Sequence, residues 1–194
     1  MTEDEVLHEF RASEALLEGH FKLSSGRHSS HYLQCARVLM DAGRAERLAT
    51  ALSAKIPAEL RERIEVVVSP AMGGIIIGHE MGRALGRPAM FLERPQGVFE
   101  LRRGFHLDSG AKVLMVEDVV TTGLSSREAI EEVRAAGGDV IAEAALVDRS
   151  GGYADLGVPF VPLIRIDVPT YEADALPPEL AAIPAVKPGS RAAA

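Results

Sequence analysis

The sequence predicts an α/β fold in which a mostly parallel central sheet is flanked by helices. Three short apolar runs, at about 65–69, 113–116 and 140–147, are rich in β-branched residues and are typical of buried parallel strands. Segments with helical spacing of apolar residues alternate with these runs. Alternation of strands with helices favours parallel pairing, with crossovers that place helices on both faces of the sheet.

The N-terminal half of the chain predicts a helix over about 4–17, ended by Gly19, with Val6 and Phe10 on its apolar stripe. Residues 21–34, dense in Ser, Gly and His, predict an irregular stretch or a pair of short strands. The next elements are expected in this order: a helix over about 42–60, a strand over 65–69, a helix over 74–85 closed by Gly86, and a strand over 89–92.

The C-terminal half begins with a loop over 93–110. The strand at 113–116 precedes a helix whose start is indicated by Ser125-Ser126-Arg127-Glu128, which fits an S-x-x-E capping box, and whose end is indicated by Gly137-Gly138. Strands are expected over 140–147 and 160–166. The Pro-rich tail at 177–188 predicts an extended surface segment.

Composition excludes several classes of protein. The 194 residues suffice for one domain with a full core, and the formal net charge of −7 argues against a general nucleic-acid binder. The only cysteine, Cys35, excludes intrachain disulfides and metal sites of several cysteines, and we expect it to pack in or near the core. The acidic N-terminus is unlike a signal peptide, and no apolar run reaches membrane-spanning length. We therefore expect a soluble cytoplasmic protein that binds neither membranes nor nucleic acid.

Two adjacent carboxylates, Glu117 and Asp118, follow the apolar run at 113–116. Ligands of open α/β sheets bind at the carboxyl ends of the strands. The Thr-Thr-Gly turn at 121–123 then offers hydroxyls and a flexible backbone just before a helix. Free amides and the helix dipole bind phosphate there, while the carboxylates bind hydroxyls or a metal, so the segment predicts a site for a phosphorylated sugar.

A second strand-to-helix turn contains Gly73 and Gly74, after the strand at 65–69. Glycines let backbone amides approach an anion closely, although the same pair is also found in turns that bind nothing.

The loop at 93–106 is basic within an acidic protein, because it contains Arg94, Arg102, Arg103 and His106. A solvated hairpin is one interpretation of it. A cover for a polyphosphate is the other, since guanidinium groups stabilise developing negative charge and exclude water.

Two further segments concern the substrate. Residues 21–32 combine aromatic residues, a Ser-Gly pair and basic residues, and Tyr32 is placed either to stack on a base or to pack in the interior. Arg149 follows a strand, where a guanidinium suits bidentate binding of a planar carboxylate. The alternative for Arg149 is a surface ion pair with Asp148 or Glu143.

The acid pair and its Thr-x-Gly turn are similar to the phosphoribosyl-diphosphate signature of type I phosphoribosyltransferases. From about Gly19 to the tail, the chain resembles the orotate phosphoribosyltransferase family. The resemblance implies the type I phosphoribosyltransferase fold as a single domain over 1–194. It also implies a small N-terminal hood, over about 1–40 plus the C-terminal segment, and a core over about 41–167.

The activity that the resemblance implies is transfer of ribose 5-phosphate from phosphoribosyl diphosphate to orotate, giving orotidine 5'-monophosphate and pyrophosphate. It implies Mg²⁺, held mainly by the substrate with no direct protein ligand, and a homodimer with shared active sites. The implied catalytic residues are Glu117, Asp118, Arg94, Arg102 and Arg103. Those for phosphoribosyl diphosphate are Met72, Gly73, Arg94, Glu117, Asp118, Val119, Val120, Thr121, Thr122, Gly123, Leu124 and Ser125. Those for orotate are Ser25, Tyr32, Thr121 and Arg149.

The resemblance also implies a non-proline cis peptide bond at Ala71-Met72. The sequence departs from the family pattern at Leu124, where a hydroxyl is common, and at Pro95, where a lysine is common. Which of Arg102 and Arg103 serves the pyrophosphate is therefore open. Two other functions stay open as well: a phosphoribosyltransferase for uracil or a purine, and a non-catalytic regulator that senses phosphoribosyl diphosphate.

Overall fold

The computed structural model describes residues 1–23 and 26–187, and these form two sheets and their flanking helices. The helices are α1 (Glu3–Ala12), α2 (Cys35–Leu39), α3 (Ala42–Lys55), α4 (Ala58–Arg61), α5 (Gly74–Leu85), α6 (Leu124–Ala135) and α7 (Pro178–Ala181). The strands are β1 (Leu16–Lys22), β2 (His28–Leu33), β3 (Val66–Pro70), β4 (Ala89–Glu93), β5 (Glu100–Leu101), β6 (Lys112–Val120), β7 (Asp139–Asp148), β8 (Phe160–Arg165) and β9 (Thr170–Tyr171).

The central sheet has the strand order β5-β4-β3-β6-β7-β8, and only its short edge strand β5 is antiparallel to its neighbour. The predicted α/β fold with a mostly parallel sheet is confirmed. Successive residues of β6 alternate between two apolar cores: Leu114 and Val116 pack on the face of α3 and α5, and Val113 and Met115 pack on the face of α6.

A second, antiparallel sheet of β1, β2 and β9 covers one end of the molecule. The prediction of a helix over 4–17 is wrong beyond Ala12. Glu14 adopts a left-handed φ of 53°, which ends the helical path, and Leu16 pairs with Leu33 across β1 and β2. Strand pairing with a distant segment thus overrides the helical spacing of Leu16 and Leu17.

Two other predicted boundaries are wrong for local reasons. The helix expected over 42–60 ends at Lys55, and α4 begins after Pro57, whose ring nitrogen has no hydrogen to continue the first helix. The predicted capping box at 125–128 does not form. The N-cap of helix α6 is Gly123, at φ 73°, two residues before the predicted cap Ser125, and the Ser126 hydroxyl in the first turn donates to Glu143.

The tail at 177–188 was predicted to be extended, and within its described part it also contains the short helix α7. Val186 then forms a parallel bridge with Phe21 of β1. Among the helices of residues 1–23 and 26–187, none is long and apolar enough to cross a membrane. The cytoplasmic location expected from the sequence stays a prediction.

Candidate active site

Glu117 and Asp118 lie near the carboxyl end of β6 and point to opposite faces of the sheet, because neighbouring strand residues alternate. Glu117 is only 8% exposed and lines a pocket beside α6. The Asp118 carboxylate faces the turn before α5, where it lies against the backbone of Gly73. The adjacent acids therefore reach two different sides of the same strand end.

Both carboxyl groups are held in poorly solvated surroundings. Burial raises the pKa of Glu117 to about 8, and the negative charges of Asp118 and Glu143 add to this effect. Burial also raises the pKa of Asp118, against the effect of the Val119 N–H, which donates to its Oδ1 at 2.9 Å. A cation or hydroxyl donors brought beside these acids would stabilise their charged forms.

The turn at 121–123 leads from β6 into α6, and its last residue, Gly123, has a φ of 73°. A Cβ at that position would lie 2.5 Å from the Leu156 side chain, so both the backbone angle and the space require glycine. The turn, the start of α6 and Glu117 line a pocket of about 240 Å³. A phosphate there would meet free amides and the positive end of a helix of twelve residues.

A larger cleft, of about 940 Å³, lies between the small sheet and the central sheet. Its lining includes Tyr32 from β2, Thr121 and Thr122 from the β6–α6 turn, and Arg149 after β7. Three residues predicted for orotate, Tyr32, Thr121 and Arg149, are thus brought together. Ser25, the fourth, lies outside the described residues.

Arg149 is a half-buried side chain in the lining of this cleft. Its Nε is buried without a hydrogen-bond partner among the described residues, and burial lowers the pKa of the guanidinium. The alternative ion pairs of Arg149 do not form within the described residues, since Asp148 pairs with Arg165 at 3.2 Å and Glu143 accepts from Ser126. An unpaired buried donor beside an open cleft fits an acceptor supplied by a ligand.

The arginines of the basic loop at 93–106 lie in two different places. Arg94 lines the 240 Å³ pocket, donates to Glu128 at 2.5 Å and lies 3.9 Å from the centre of the Phe99 ring. Arg103 donates to Glu93 at 2.7 Å, and Arg102 is 3.7 Å from the same carboxylate. Within the described part of one chain, Arg102 and Arg103 are not among the residues that line the pocket or the cleft.

The peptide bond between Ala71 and Met72 is cis, as expected. Met72 itself is 84% exposed, at the turn that contains Gly73. Cys35 is buried, as predicted, with its Sγ 4.0 Å from the Asp118 carbonyl oxygen.

Comparison with known proteins agrees with this geometry. The phosphoribosyl transferase domain family matches residues 38–166. The orotate phosphoribosyltransferase of Sphingopyxis alaskensis is 73% identical over 195 aligned positions, covering 100% of each chain. The chain belongs to the orotate phosphoribosyltransferase family. The enzyme of that name from Caulobacter vibrioides is 59% identical, with 98% of each chain covered.

Solved structures resemble the chain at lower identity. The orotate phosphoribosyltransferase of Aeropyrum pernix superposes with a TM-score of 0.72 at 28% identity, over 83% of this chain and 93% of that one. The adenine phosphoribosyltransferase of Thermoanaerobacter pseudethanolicus has a TM-score of 0.60 at 18% identity, over 70% of this chain and 88% of that one. At 18% identity, the likeness to the adenine enzyme concerns the fold alone. Which base this chain uses is therefore inferred from the residues that line the cleft.

Four residues in or beside the site of this orotate phosphoribosyltransferase family member were not predicted from the sequence: Glu143, Lys22, Lys187 and Tyr153. Glu143 had a signal, because it is the only charged residue inside the apolar run at 140–147. The other three line the cleft from surface segments, where an exposed Lys or Tyr has no distinguishing pattern.

Proposed function

We propose that this chain transfers ribose 5-phosphate from phosphoribosyl diphosphate to orotate, giving orotidine 5'-monophosphate and pyrophosphate. The observation that carries the proposal is the half-buried Arg149, beside Thr121 in an open cleft, whose buried Nε has no hydrogen-bond partner among the described residues. A planar guanidinium matches a planar carboxylate, which orotate has and which uracil and the purines lack.

In the proposed reaction, N1 of orotate forms a bond to C1' of the ribose as the bond from C1' to the diphosphate oxygen breaks. The bonding electrons leave with the diphosphate. Orotate can react as its anion, so little acid–base catalysis is needed, and positioning and electrostatics carry the reaction. Glu117 and Asp118 would bind the ribose hydroxyls and stabilise positive charge on the sugar.

The 5-phosphate would bind to the segment from Thr121 to Ser125, with the neighbouring Val119 and Val120 forming the floor of its pocket. Support comes from the left-handed Gly123 and the start of α6, which together present backbone amides to the pocket. Leu124 is 56% exposed there and has no hydroxyl to offer, and its N–H, which donates to the Thr122 hydroxyl at 3.4 Å, would turn to the phosphate.

The residues present fit Mg²⁺ as the cofactor that the family implies. Mg²⁺ in phosphate sites is commonly bound by one or two carboxylates together with substrate oxygens and water, and the buried Glu117 and half-buried Asp118 carboxylates lie near the end of β6. We propose that the diphosphate and the ribose hydroxyls hold the ion, with Glu117 and Asp118 nearby. When bound, it would neutralise negative charge on the departing diphosphate.

The departing diphosphate would also contact Gly73, Met72 and Arg94. We further propose a homodimer in which Arg102 or Arg103 completes the partner's site. This is supported by the pairing of both arginines with Glu93, outside the pocket of their own chain. It is also supported by the 84% exposure of Met72 and the 44% exposure of Ile76, an apolar surface beside the site.

The test is ultraviolet-monitored consumption of orotate with phosphoribosyl diphosphate and Mg²⁺, with uracil, adenine and hypoxanthine in parallel. We expect orotate to be consumed and uracil, adenine and hypoxanthine to remain unchanged. Turnover of another base would retain a phosphoribosyltransferase but overturn the role of Arg149. Binding of phosphoribosyl diphosphate without turnover of any base would favour a regulator.

A further inference from the structure

Every charged side chain among the described residues that line the 940 Å³ cleft is a cation: Lys22, Arg149 and Lys187. The protein as a whole carries a formal net charge of −7. A cleft lined by one sign of charge concentrates ligands of the opposite sign. The two lysines come from opposite ends of the chain, so their meeting in this cleft needs a structural cause.

That cause is the C-terminal segment at 183–187, which is bound to β1 at three points. His20 Nδ1 donates to the Ile183 carbonyl at 2.7 Å. The Val186 N–H donates to the His20 carbonyl, and the Lys22 N–H donates to the Val186 carbonyl, both at 2.8 Å. His20 is buried, whereas Ile183 and Val186 are exposed, so the segment lies along the edge of β1 and is fixed there by these three hydrogen bonds.

The register of this attachment places the two lysines side by side. Phe21 and Val186 are bridge partners in a parallel pair, so Lys22 and Lys187 are the next neighbours and project to one side. Neighbouring strands lie about 4.8 Å apart. Both side chains line the cleft, so an anion bound there is attracted by two positive charges from this one place in the fold.

We propose that Lys22 and Lys187 form a two-lysine subsite that binds the anionic pyrimidine opposite Arg149 and favours orotate over neutral bases. Arg149 would take the carboxylate, and the lysines would face the remaining negative charge and carbonyl oxygens of the ring. The C-terminal segment would then contribute directly to substrate selection. This inference rests on the proposed function.

The experiment compares Lys187→Gln, Lys22→Gln and the double variant with the unmodified protein in steady-state assays. Each single change is expected to raise KM for orotate roughly tenfold, since it removes one hydrogen bond to a charged group. KM for phosphoribosyl diphosphate is expected to stay within about twofold. Lys187→Arg keeps the charge and should recover most of the loss.

Lys112→Gln is the matched control, because Lys112 is a surface lysine paired with Asp139 at the opposite end of β6. It should leave both KM values unchanged. Backbone groups attach the C-terminal segment at 183–187 to β1, so the lysine changes should leave this attachment intact. Thermal unfolding of all variants checks that they are as stable as the unmodified protein.

A rise in KM for phosphoribosyl diphosphate without a rise in KM for orotate would assign the lysines to the diphosphate and overturn the proposal. Unchanged KM values for both substrates would also overturn it. Calorimetric titration of orotidine 5'-monophosphate provides a second readout that does not need turnover. Suppose that the unmodified protein does not turn over orotate, while Lys187→Gln still weakens binding of orotidine 5'-monophosphate about tenfold. That result would contradict the proposed reaction and support the two-lysine subsite.

Discussion

Gly73 lies so close to the Asp118 carboxylate that a Cβ on residue 73 would be 2.7 Å from Oδ2 and 2.8 Å from Oδ1. Its backbone has ordinary helical angles, φ −60° and ψ −39°, so glycine is needed there for space and not for conformational freedom. The turn before α5 and the end of β6 thus determine each other's shape at the proposed ribose site.

Gly73→Ala is expected to damage activity much more than stability. The atoms that the new methyl group meets are the end of a short side chain, which can rotate away without moving the backbone. We expect the free energy of unfolding to change by less than about 1 kcal/mol. A displacement of about 1 Å at a reacting group can lower kcat on the order of a hundredfold.

Chemical denaturation and steady-state assays on the same preparations test this prediction. Gly43→Ala is the control, because a Cβ there would meet its neighbours at 3.4 Å and 3.5 Å, which is ordinary contact. Full activity of Gly73→Ala would remove Asp118 from the proposed ribose site.

Stability is expected to depend on pH through Glu117. Its pKa is raised to about 8 in the folded protein, whereas an unfolded chain releases this proton at about 4.3. Between these values the native state holds a proton that the unfolded state has lost, so the free energy of unfolding falls as pH rises and levels off above about 8.

Glu117→Gln cannot ionise, so it removes this contribution. Relative to the variant, the unmodified protein should lose about 2–4 kcal/mol between pH 5 and pH 9. Urea denaturation at pH 5, 7 and 9 measures the difference. If the free energy of unfolding changed with pH in the same way in both proteins, the Glu117 carboxyl would have the same pKa in the folded and unfolded states.

Arg149→Ala is expected to raise KM for orotate on the order of a hundredfold with little change in KM for phosphoribosyl diphosphate, because a bidentate charged contact is lost. Arg149→Lys keeps the charge without the planar fork and should recover only part of the loss. Arg134→Ala, on the exposed last turn of α6, is the control. A defect confined to phosphoribosyl diphosphate would contradict the carboxylate role.

Subunit mixing tests the proposed shared site. Asp118→Asn and Arg103→Ala are each expected to be nearly inactive alone. If the loop serves the partner, a one-to-one mixture should regain about a quarter of full activity, since half of the dimers are mixed and each of these has one intact site. Mixing Asp118→Asn with Glu117→Gln should regain none, because both changes affect residues of the same strand.

Local patterns were sufficient to predict much of the central sheet. The helix α5 has the bounds expected from its glycines, and the strand that carries Glu117 and Asp118 lies in the interior of the mostly parallel sheet, although it extends to Val120 and so includes both acids. These features depend on apolar runs, turn residues and strand periodicity, which are properties of neighbouring residues. The same information failed at Leu16, where pairing with the distant Leu33 decided the outcome, and at Ser125, where the helix begins before the expected cap.

By itself, the sequence determined the fold class, the acid pair at a strand end and the family to which the chain belongs. Only the tertiary structure decided that the Asp118 carboxylate lies against Gly73, that the buried Nε of Arg149 has no partner among the described residues, and that Lys22 meets Lys187. The physical reason is distance along the chain. The burial, register and desolvation of these groups depend on segments that are far apart in the sequence, whose meeting no local pattern encodes.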